Sequence, residues 1–379
     1  MRWPRGIAGA GGSCGIKGTN LLDLGVIVSD ERCAWAGTFT HNAAAAAPVL
    51  WCRDRLGHEA RAVVVNSGNA NACTGPEGDE AVRRTARKAA DALGCAPEEI
   101  LVASTGVIGV PLPVELVEQR LPSLLEETTD DPGSFARSIL TTDSVIKTSS
   151  AEIDGISVVG VAKGAAMLAP NMATMLAFLT TDADVSSEEL QAILGPAVET
   201  SFNRISIDAC ESTNDSVIAL ATGKGPRPDL SSFGKALEKV CSQLAYQMVA
   251  DSEGGTRVVR VQIEGAADES HAVALGRAVA ASALWRAAVH GADPNWGRVA
   301  AALGQEDREL DLDSLRIAIG SETVFDEGRP AGTLEIAKKA MDGPEFSVTC
   351  DVGIGAGTAE ILTSDLSTRY VTENAWGTT

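Results

Sequence analysis

A threonine near the middle of the chain is the first candidate for chemistry. Thr174 follows the turn residues Pro170 and Asn171 and stands just before an apolar run, residues 175–180. One interpretation is structural, because threonine is a good strand residue whose hydroxyl can bond a nearby carbonyl. The other is that the chain cuts itself between Ala173 and Thr174, which gives the hydroxyl a free α-amine as its base. The pattern alone leaves both interpretations open.

Two glycine-containing polar segments also follow short apolar runs directly. Residues 66–75, rich in Asn, Ser and Gly, come after the run 63–65, and residues 104–109 come after the run 100–103. The first segment is either an ordinary loop or a polar shelf at the edge of an active site. The second is either a tight turn or an oxyanion hole, because its glycines let backbone N–H groups approach a ligand closely.

Charge and composition exclude several classes of function. The formal net charge of −20 argues against nucleic acid or an anionic membrane as a partner, since both need a basic surface. No segment offers about 18 to 20 uninterrupted apolar residues, and the first residues lack the apolar part of a signal peptide. The sequence therefore predicts a cytoplasmic protein.

Cysteine and histidine usage narrows the chemistry further. The eight cysteines are scattered and never form a Cys-x-x-Cys pair, which predicts reduced thiols and no zinc site. None of the four histidines stands in a recognisable catalytic motif. Scarce histidine favours a nucleophile that brings its own base.

The elements that must position these residues alternate between strands and helices, which predicts an α/β fold. Residues 175–180 and 156–162 read as buried strands, and residues 23–28 and 35–40 as a hairpin. A strand, a polar turn and a second strand are predicted in residues 201–217. Helical patterns cover residues 76–93, 113–127, 135–140, 186–194, 234–249 and 272–289. The Gly- and Pro-rich residues 223–229 indicate a lobe boundary.

Several motifs in order resemble the ornithine acetyltransferase (glutamate N-acetyltransferase) family. The most specific is the Lys-Gly-x-x-Met-x-x-Pro-Asn-Met-Ala-Thr-Met-Leu string of residues 163–176. The others are residues 66–75, 104–109, 201–215 and 293–298, and a C-terminal Asn-x-x-x-x-Thr. The resemblance runs from residue 15 to residue 379.

The resemblance implies a fold and a processed form. The expected fold is a layered α-β-β-α sandwich, shared with an aminopeptidase type, with a smaller C-terminal lobe from about residue 230. Cleavage between Ala173 and Thr174 would give an α chain, residues 1–173, and a β chain, residues 174–379. The chains are expected to assemble as (αβ)2 or larger, and amino-acid substrates are the expected small-molecule partners.

The resemblance also assigns roles to residues. Thr174 is the expected nucleophile, and Thr105 and Gly106 the expected oxyanion hole. The substrate-binding residues carried over are Thr142 (with Thr141 as the fallback), Lys163, Thr174, Glu253, Asn374 and Thr379. The family's chemistry needs no bound cofactor or metal.

The chain departs from the family pattern at a few places. Ala209, Cys210 and Glu211 replace Gly-Asp-Thr, residues 252–257 have altered flanks around Glu253, and Trp376 begins an altered tail. We therefore predict acetyl transfer from an N2-acetylornithine-like donor to a glutamate-like acceptor, with three alternatives. These are a transferase with substrates outside the arginine pathway, an amidase or aminopeptidase of the same fold, and a non-catalytic binding protein.

Overall fold

The protein is an α/β structure built on two sheets. The computed structural model describes residues 1–167 and 175–376. Its strands are β1 Ile7–Gly12, β2 Leu24–Phe39, β3 Ala60–Asn69, β4 Ile100–Val107, β5 Lys147–Ile153, β6 Ile156–Lys163, β7 Leu176–Thr181, β8 Ser216–Ala221, β9 Val258–Ala266, β10 Arg316–Ile319, β11 Glu322–Asp326, β12 Arg329–Pro330, β13 Glu345–Asp351 and β14 Gly357–Ser364. Its helices are α1 Ala47–Arg53, α2 Gly75–Leu93, α3 Val114–Glu126, α4 Gly133–Ser138, α5 Ser187–Glu199, α6 Leu230–Ala250, α7 Glu269–Ala281, α8 Ala283–His290, α9 Trp296–Glu306, α10 Leu334–Met341 and α11 Thr368–Trp376.

The first sheet is organised by β2, which changes neighbours along its length. Its first half pairs with β3 and its second half with β8, and the register shifts between Val28 and Cys33. A register shift of this kind bends a strand and increases its twist. The predicted hairpin in this region is therefore wrong, because both apolar runs belong to one continuous strand.

The first sheet folds into two layers, one that contains β3 and β4 and one that contains β6, β7 and β8. Three buried cores show this arrangement. One core combines side chains of β3 and β4 with side chains of β6, β7 and β8, and contains Trp35, Phe135 and Phe178. On the outer side of β7 and β8, a second core packs against α5 and α6. On the outer side of β3 and β4, a third packs against α2 and α3. The predicted α-β-β-α sandwich is confirmed.

The strand β7 shows how tightly this arrangement fixes a short segment. Leu176 and Phe178 point into the central core, whereas Ala177 and Leu179 point into the core beneath α5 and α6. All six residues of β7 are buried. A one-residue slip would exchange the two sets of side chains, so the register of β7 is strongly specified.

The second sheet forms the smaller lobe. Its order is β12-β11-β10-β13-β9-β14, and its core includes side chains of α7, α8, α9 and α10. We expected this lobe to begin near residue 230. The helix there, α6, instead packs its apolar face on β5 and β6 of the first sheet, and the second sheet begins at Val258.

Local capping explains where several helices begin and end. Ser186 and Glu189 form the capping box expected at the start of α5, and Gly94 ends α2 with a φ of 65°. The single helix predicted over 272–289 is two, because the Ser282 side chain accepts a hydrogen bond from the Trp285 N–H and starts α8.

The first strand predicted in 201–217 is also absent. A single 3-10 turn, Phe202–Arg204, stands there, and Ile205 forms an isolated bridge with Leu362 of the second sheet. Only the second predicted strand forms, as β8, and it begins at Ser216.

No single helix in the described ranges is long and apolar enough to span a membrane; α7 and α8 reach that composition only as a pair bent by 58°.

The close contact between β6 and α6 leads to a stability prediction. A Cβ added at Gly160 would lie 2.7 Å from both Leu244 Cδ1 and Val240 Cγ1. Gly160→Ala should therefore lower the free energy of unfolding by about 1–3 kcal/mol through overpacking. Gly195→Ala in α5 is the matched control, since a Cβ there meets nothing within 4 Å and should stabilise the helix by about 0.5–1 kcal/mol. Urea unfolding of both variants measures the difference, and equal effects would contradict this packing.

Candidate functional site

A cleft of about 320 Å³ lies where the ends of β4 and β6 meet segments from the downstream half. Six of the residues expected to act on substrate line it. They are Thr105, Gly106, Thr142, Lys163, Glu253 and Asn374, and the fallback Thr141 lies there too. Ala173, Thr174 and Thr379 lie outside the described residues. The fold thus brings together candidates that are up to 269 residues apart in the sequence, from Thr105 to Asn374.

Gly106 occupies a position that only glycine fits. Its φ is 135°, a conformation that L side chains rarely adopt, and it pairs with Gly68 across the parallel strands β3 and β4. A Cβ at Gly106 would lie 2.3 Å from the carbonyl carbon of Gly68. This glycine lets the end of β4 reach the cleft while it stays paired with β3.

Lys163 and Thr105 form a pair at the base of the cleft. Lys163 Nζ donates a hydrogen bond to Thr105 Oγ1 at 3.3 Å, and both residues are buried. Burial lowers the pKa of Lys163, whereas the nearby carboxylate of Asp143 raises it. Because the Thr105 oxygen accepts from the lysine, its own hydroxyl hydrogen is available to a ligand in the cleft.

The run of asparagines in 66–75 supports the cleft from behind. Ser104 Oγ donates to Asn66 Oδ1 at 2.6 Å, and Asn66 Nδ2 donates to the Asn69 carbonyl at 2.8 Å. Asn69 Nδ2 donates to the Val110 carbonyl at 3.0 Å. These amides are engaged in holding backbone turns, and of this run Ala70 lines the cleft.

Glu253 and Asn374 meet at the opposite wall. Asn374 Nδ2 donates to Glu253 Oε2 at 2.8 Å, and the Glu253 N–H donates to the Ala165 carbonyl at 2.9 Å. Ser367 Oγ donates to the Gly254 carbonyl at 2.6 Å. The loop of Glu253 is therefore fastened both to the segment after β6 and to the start of α11.

Asp215 is a buried carboxyl for which the sequence analysis predicts no role. Its Oδ1 accepts from the N–H of Met175 at 2.9 Å, and Met175 is the second residue after the expected cleavage point. Burial raises the pKa of Asp215 well above its ordinary value, although the Met175 N–H and the charge of Lys163 act in the opposite direction. The sequence feature that points to Asp215 as a site residue is its position at the end of the 208–215 motif.

Tyr370 also lines the cleft without having been predicted. Burial, followed by the neighbouring charge of Asp208, raises the pKa of its phenol to about 12, so the hydroxyl keeps its proton at neutral pH. Nothing in the sequence around Tyr370 indicates that its side chain lines the cleft.

The departures from the family pattern reach the cleft. Cys210 lines it, and Ala209 beside it has a φ of 58°, which is unusual for a residue with a Cβ.

Within residues 1–167 and 175–376, no three His, Cys, Asp or Glu side chains are grouped so as to hold a metal ion.

Comparison with known proteins gives matches over almost the whole chain. The ArgJ family model matches residues 8–379. The arginine biosynthesis bifunctional protein ArgJ of Thermus thermophilus is 43% identical over 381 residues, with both chains covered in full. The glutamate N-acetyltransferase of Methanopyrus kandleri is 43% identical over 367 residues, covering 93% of this chain and 95% of that protein. A crystal structure of ArgJ from Bacillus halodurans matches with a TM-score of 0.50 at 34% identity, covering 52% of this chain and 97% of that one.

The electrostatics beside the cleft lead to a pH prediction. Burial raises the pKa of Asp143, but the charges of Lys163 and Lys147 outweigh it and lower the pKa to about 2. An unfolded aspartate titrates near 3.9, so Asp143 contributes stability that is complete above about pH 4 and is lost as the pH falls towards 2. Asp143→Asn should therefore show a shallower loss of unfolding free energy between pH 4 and pH 2, by about 2–3 kcal/mol. The exposed Asp91→Asn is the control, and identical slopes for the wild type and Asp143→Asn would contradict the assignment.

Proposed function

The chain belongs to the ArgJ family, and on that premise we propose that it transfers an acetyl group between amino acids through an acetyl-Thr174 intermediate. The donor is an N2-acetylornithine-like amino acid and the acceptor a glutamate-like one. The proposal is supported by the full-length family match together with the meeting of Thr105, Gly106, Lys163 and Glu253 in one cleft.

Thr174 becomes a competent nucleophile through cleavage of its own chain. Its hydroxyl attacks the Ala173 carbonyl, the amide nitrogen leaves as the free α-amine of Thr174, and water opens the resulting ester to a carboxylate. An α-amine has a pKa of roughly 7.7 to 8.0, so a useful fraction is neutral near pH 7 and can take the hydroxyl proton. The products are an α chain, residues 1–173, and a β chain, residues 174–379.

The two chains remain one catalytic unit because strands of both are paired. Residues 158–163 of β6, in the α chain, pair with β7 of the β chain, and residues 34–39 of β2 pair with β8. Assembly as (αβ)2 or larger, in the cytoplasm, is part of this proposal.

In the first half-reaction the Thr174 hydroxyl attacks the acetyl carbonyl of the donor. The negative charge that develops on the carbonyl oxygen accepts hydrogen bonds from the Thr105 hydroxyl and the Gly106 N–H. The C–N bond then breaks, and the amine of the donor leaves with the proton taken from Thr174. In the second half-reaction the acceptor amine attacks the acetyl ester and regenerates the free threonine. One site used in turn by both substrates implies ping-pong kinetics.

Charged groups in the cleft match the common part of both substrates. Lys163 offers a cation for the α-carboxylate, and Glu253 offers an anion for an amino group. Thr142, Asn374 and Thr379 would supply the polar contacts around them. Cys210 and its neighbours also line the cleft, where we expect them to contact the substrate side chain and so determine which amino acids bind.

The processing step is tested by the intact mass of the purified protein beside Thr174→Ala. Wild-type protein should give two products that meet between Ala173 and Thr174, whereas Thr174→Ala should stay whole, because it lacks the attacking hydroxyl. A wild-type chain that stays whole would contradict self-processing. Cleavage of the variant would place the nucleophile elsewhere.

The oxyanion role is tested by Thr105→Val, which removes the hydroxyl and keeps the shape. We expect kcat to fall about 10²–10³-fold with little change in KM, because the donor acts on charge that develops in the transition state. Thr180→Val in β7 is the control, since Thr180 is also buried but its hydroxyl donates to the Val159 carbonyl within the sheet. A product analysis in the same assay separates transfer from hydrolysis, and amide hydrolysis without acetyl transfer would select the amidase alternative.

A further inference from the structure

A buried chain of four alternating charges runs beside the cleft. It consists of Lys163, Asp143, Lys147 and Asp251, and we call it the buried charge chain. Lys147 Nζ lies 2.7 Å from Asp143 Oδ1 and 2.6 Å from Asp251 Oδ2. The side chains of Lys147 and Asp143 have no exposed surface, and that of Asp251 is 8% exposed. Lys163 alone among the four lines the cleft.

Each carboxylate of the chain also holds backbone groups. Asp143 Oδ1 accepts from the N–H of Gly164 at 2.7 Å. Asp251 Oδ2 accepts from the N–H groups of Ser144 at 3.0 Å and Val145 at 3.3 Å. The Lys147 ammonium group therefore links the loop before β5, the end of β6 and the end of α6.

These three segments carry three of the proposed substrate contacts. Thr142 precedes Asp143, Lys163 precedes Gly164, and Glu253 stands two residues after Asp251. A displacement at Lys147 would therefore move all three walls of the cleft, although Lys147 itself does not line it.

We propose that Lys147 is a positioning residue, whose ammonium group holds Thr142, Lys163 and Glu253 at the spacing that binds the amino and carboxylate groups shared by both substrates. The inference rests on the proposed function and deepens it. Stability alone is a weak reason for such a cluster, since well-packed apolar residues often replace a buried ion pair with no loss of stability. Directed charges, unlike apolar contacts, fix distances between the segments they join.

The buried charge chain also influences the pKa of Lys163. The charged groups that face Lys163 are Asp143, Lys147, Asp215, Glu253 and Lys17. Burial lowers the pKa of Lys163 most, Asp143 raises it, and the positive charge of Lys147 lowers it again. Loss of the Lys147 charge should therefore raise the pKa of Lys163 and keep it protonated to higher pH.

Lys147→Met and the charge-balanced Lys147→Met/Asp251→Asn test the proposal. The double variant covers the case in which Lys147→Met fails to fold, because it removes one charge of each sign. For both we expect KM for N2-acetylornithine and for glutamate to rise about 10- to 100-fold, which is the effect of losing one well-aligned hydrogen bond to a charged substrate group. The kcat and the cleavage at Thr174 should stay close to wild type, and the alkaline limb of the kcat/KM profile should move to higher pH.

Lys235→Met, an exposed lysine of α6, is the matched control and should keep both KM values. A wild-type KM in the double variant would overturn the proposal, as would a loss explained entirely by less folded or less cleaved protein.

The proposed function can fail separately. If the wild type hydrolyses the donor without transfer, the KM of hydrolysis decides the inference. If it turns over neither substrate, calorimetric binding of ornithine and glutamate to the same variants decides it, and unchanged affinity would overturn it.

Discussion

The site depends on the register of β7 between its two neighbours. Leu176 pairs with Lys163 of β6 on one side and with Ser216 of β8 on the other. Both faces of β7 are buried in different cores, so the strand cannot shift without exposing one set of apolar side chains. This constraint fixes the position of Met175, which directly precedes the pair formed by Leu176 and Lys163. The proposed cleavage before β7 would leave these pairings in place.

Elements with a local physical cause could be predicted from the sequence. The capping box at Ser186, the glycine after α2 and the doubly buried run of β7 each depend on neighbouring residues alone. The continuity of β2 could not be predicted, because two apolar runs joined by polar residues look the same in a hairpin and in one bent strand. The lobe boundary was misplaced for a similar reason, since only long-range packing shows that α6 covers the first sheet.

The residues of the candidate site also divide into those that a local motif indicates and those that only long-range contacts reveal. Thr105, Gly106, Lys163 and Glu253 were found through motifs that resemble a known family, and the structure brings them to one cleft. Asp215 and Lys147 were not found, because their importance arises from contacts between distant segments. Lys147 lies 104 residues from Asp251, and nothing in the local pattern links them. For the Asn-rich run of residues 66–75 the sequence leaves an ordinary loop and a polar shelf open, and in the structure its amides mainly hold backbone turns.

Charge explains how an acidic protein can accept acidic substrates. The net charge of −20 would repel a glutamate anion at long range, but at physiological salt exposed charges are screened beyond about 8 Å. Within the cleft the nearby charges matter more, and there burial and Lys147 lower the pKa of Lys163, whereas the carboxylate of Asp143 raises it. Burial leaves Lys17, close by, with a pKa lowered to about 8, so a second amine near the site changes charge in the alkaline range.

The central claim is that the acetyl group rests on Thr174 between donor and acceptor. The most direct measurement is peptide mass spectrometry of the enzyme after reaction with N2-acetylornithine in the absence of any acceptor. The account predicts an acetyl group on the peptide that begins with Thr174, and its disappearance when glutamate is added. An enzyme that transfers acetyl groups at the normal rate but carries none on Thr174, or carries one on another residue that glutamate removes, would contradict it.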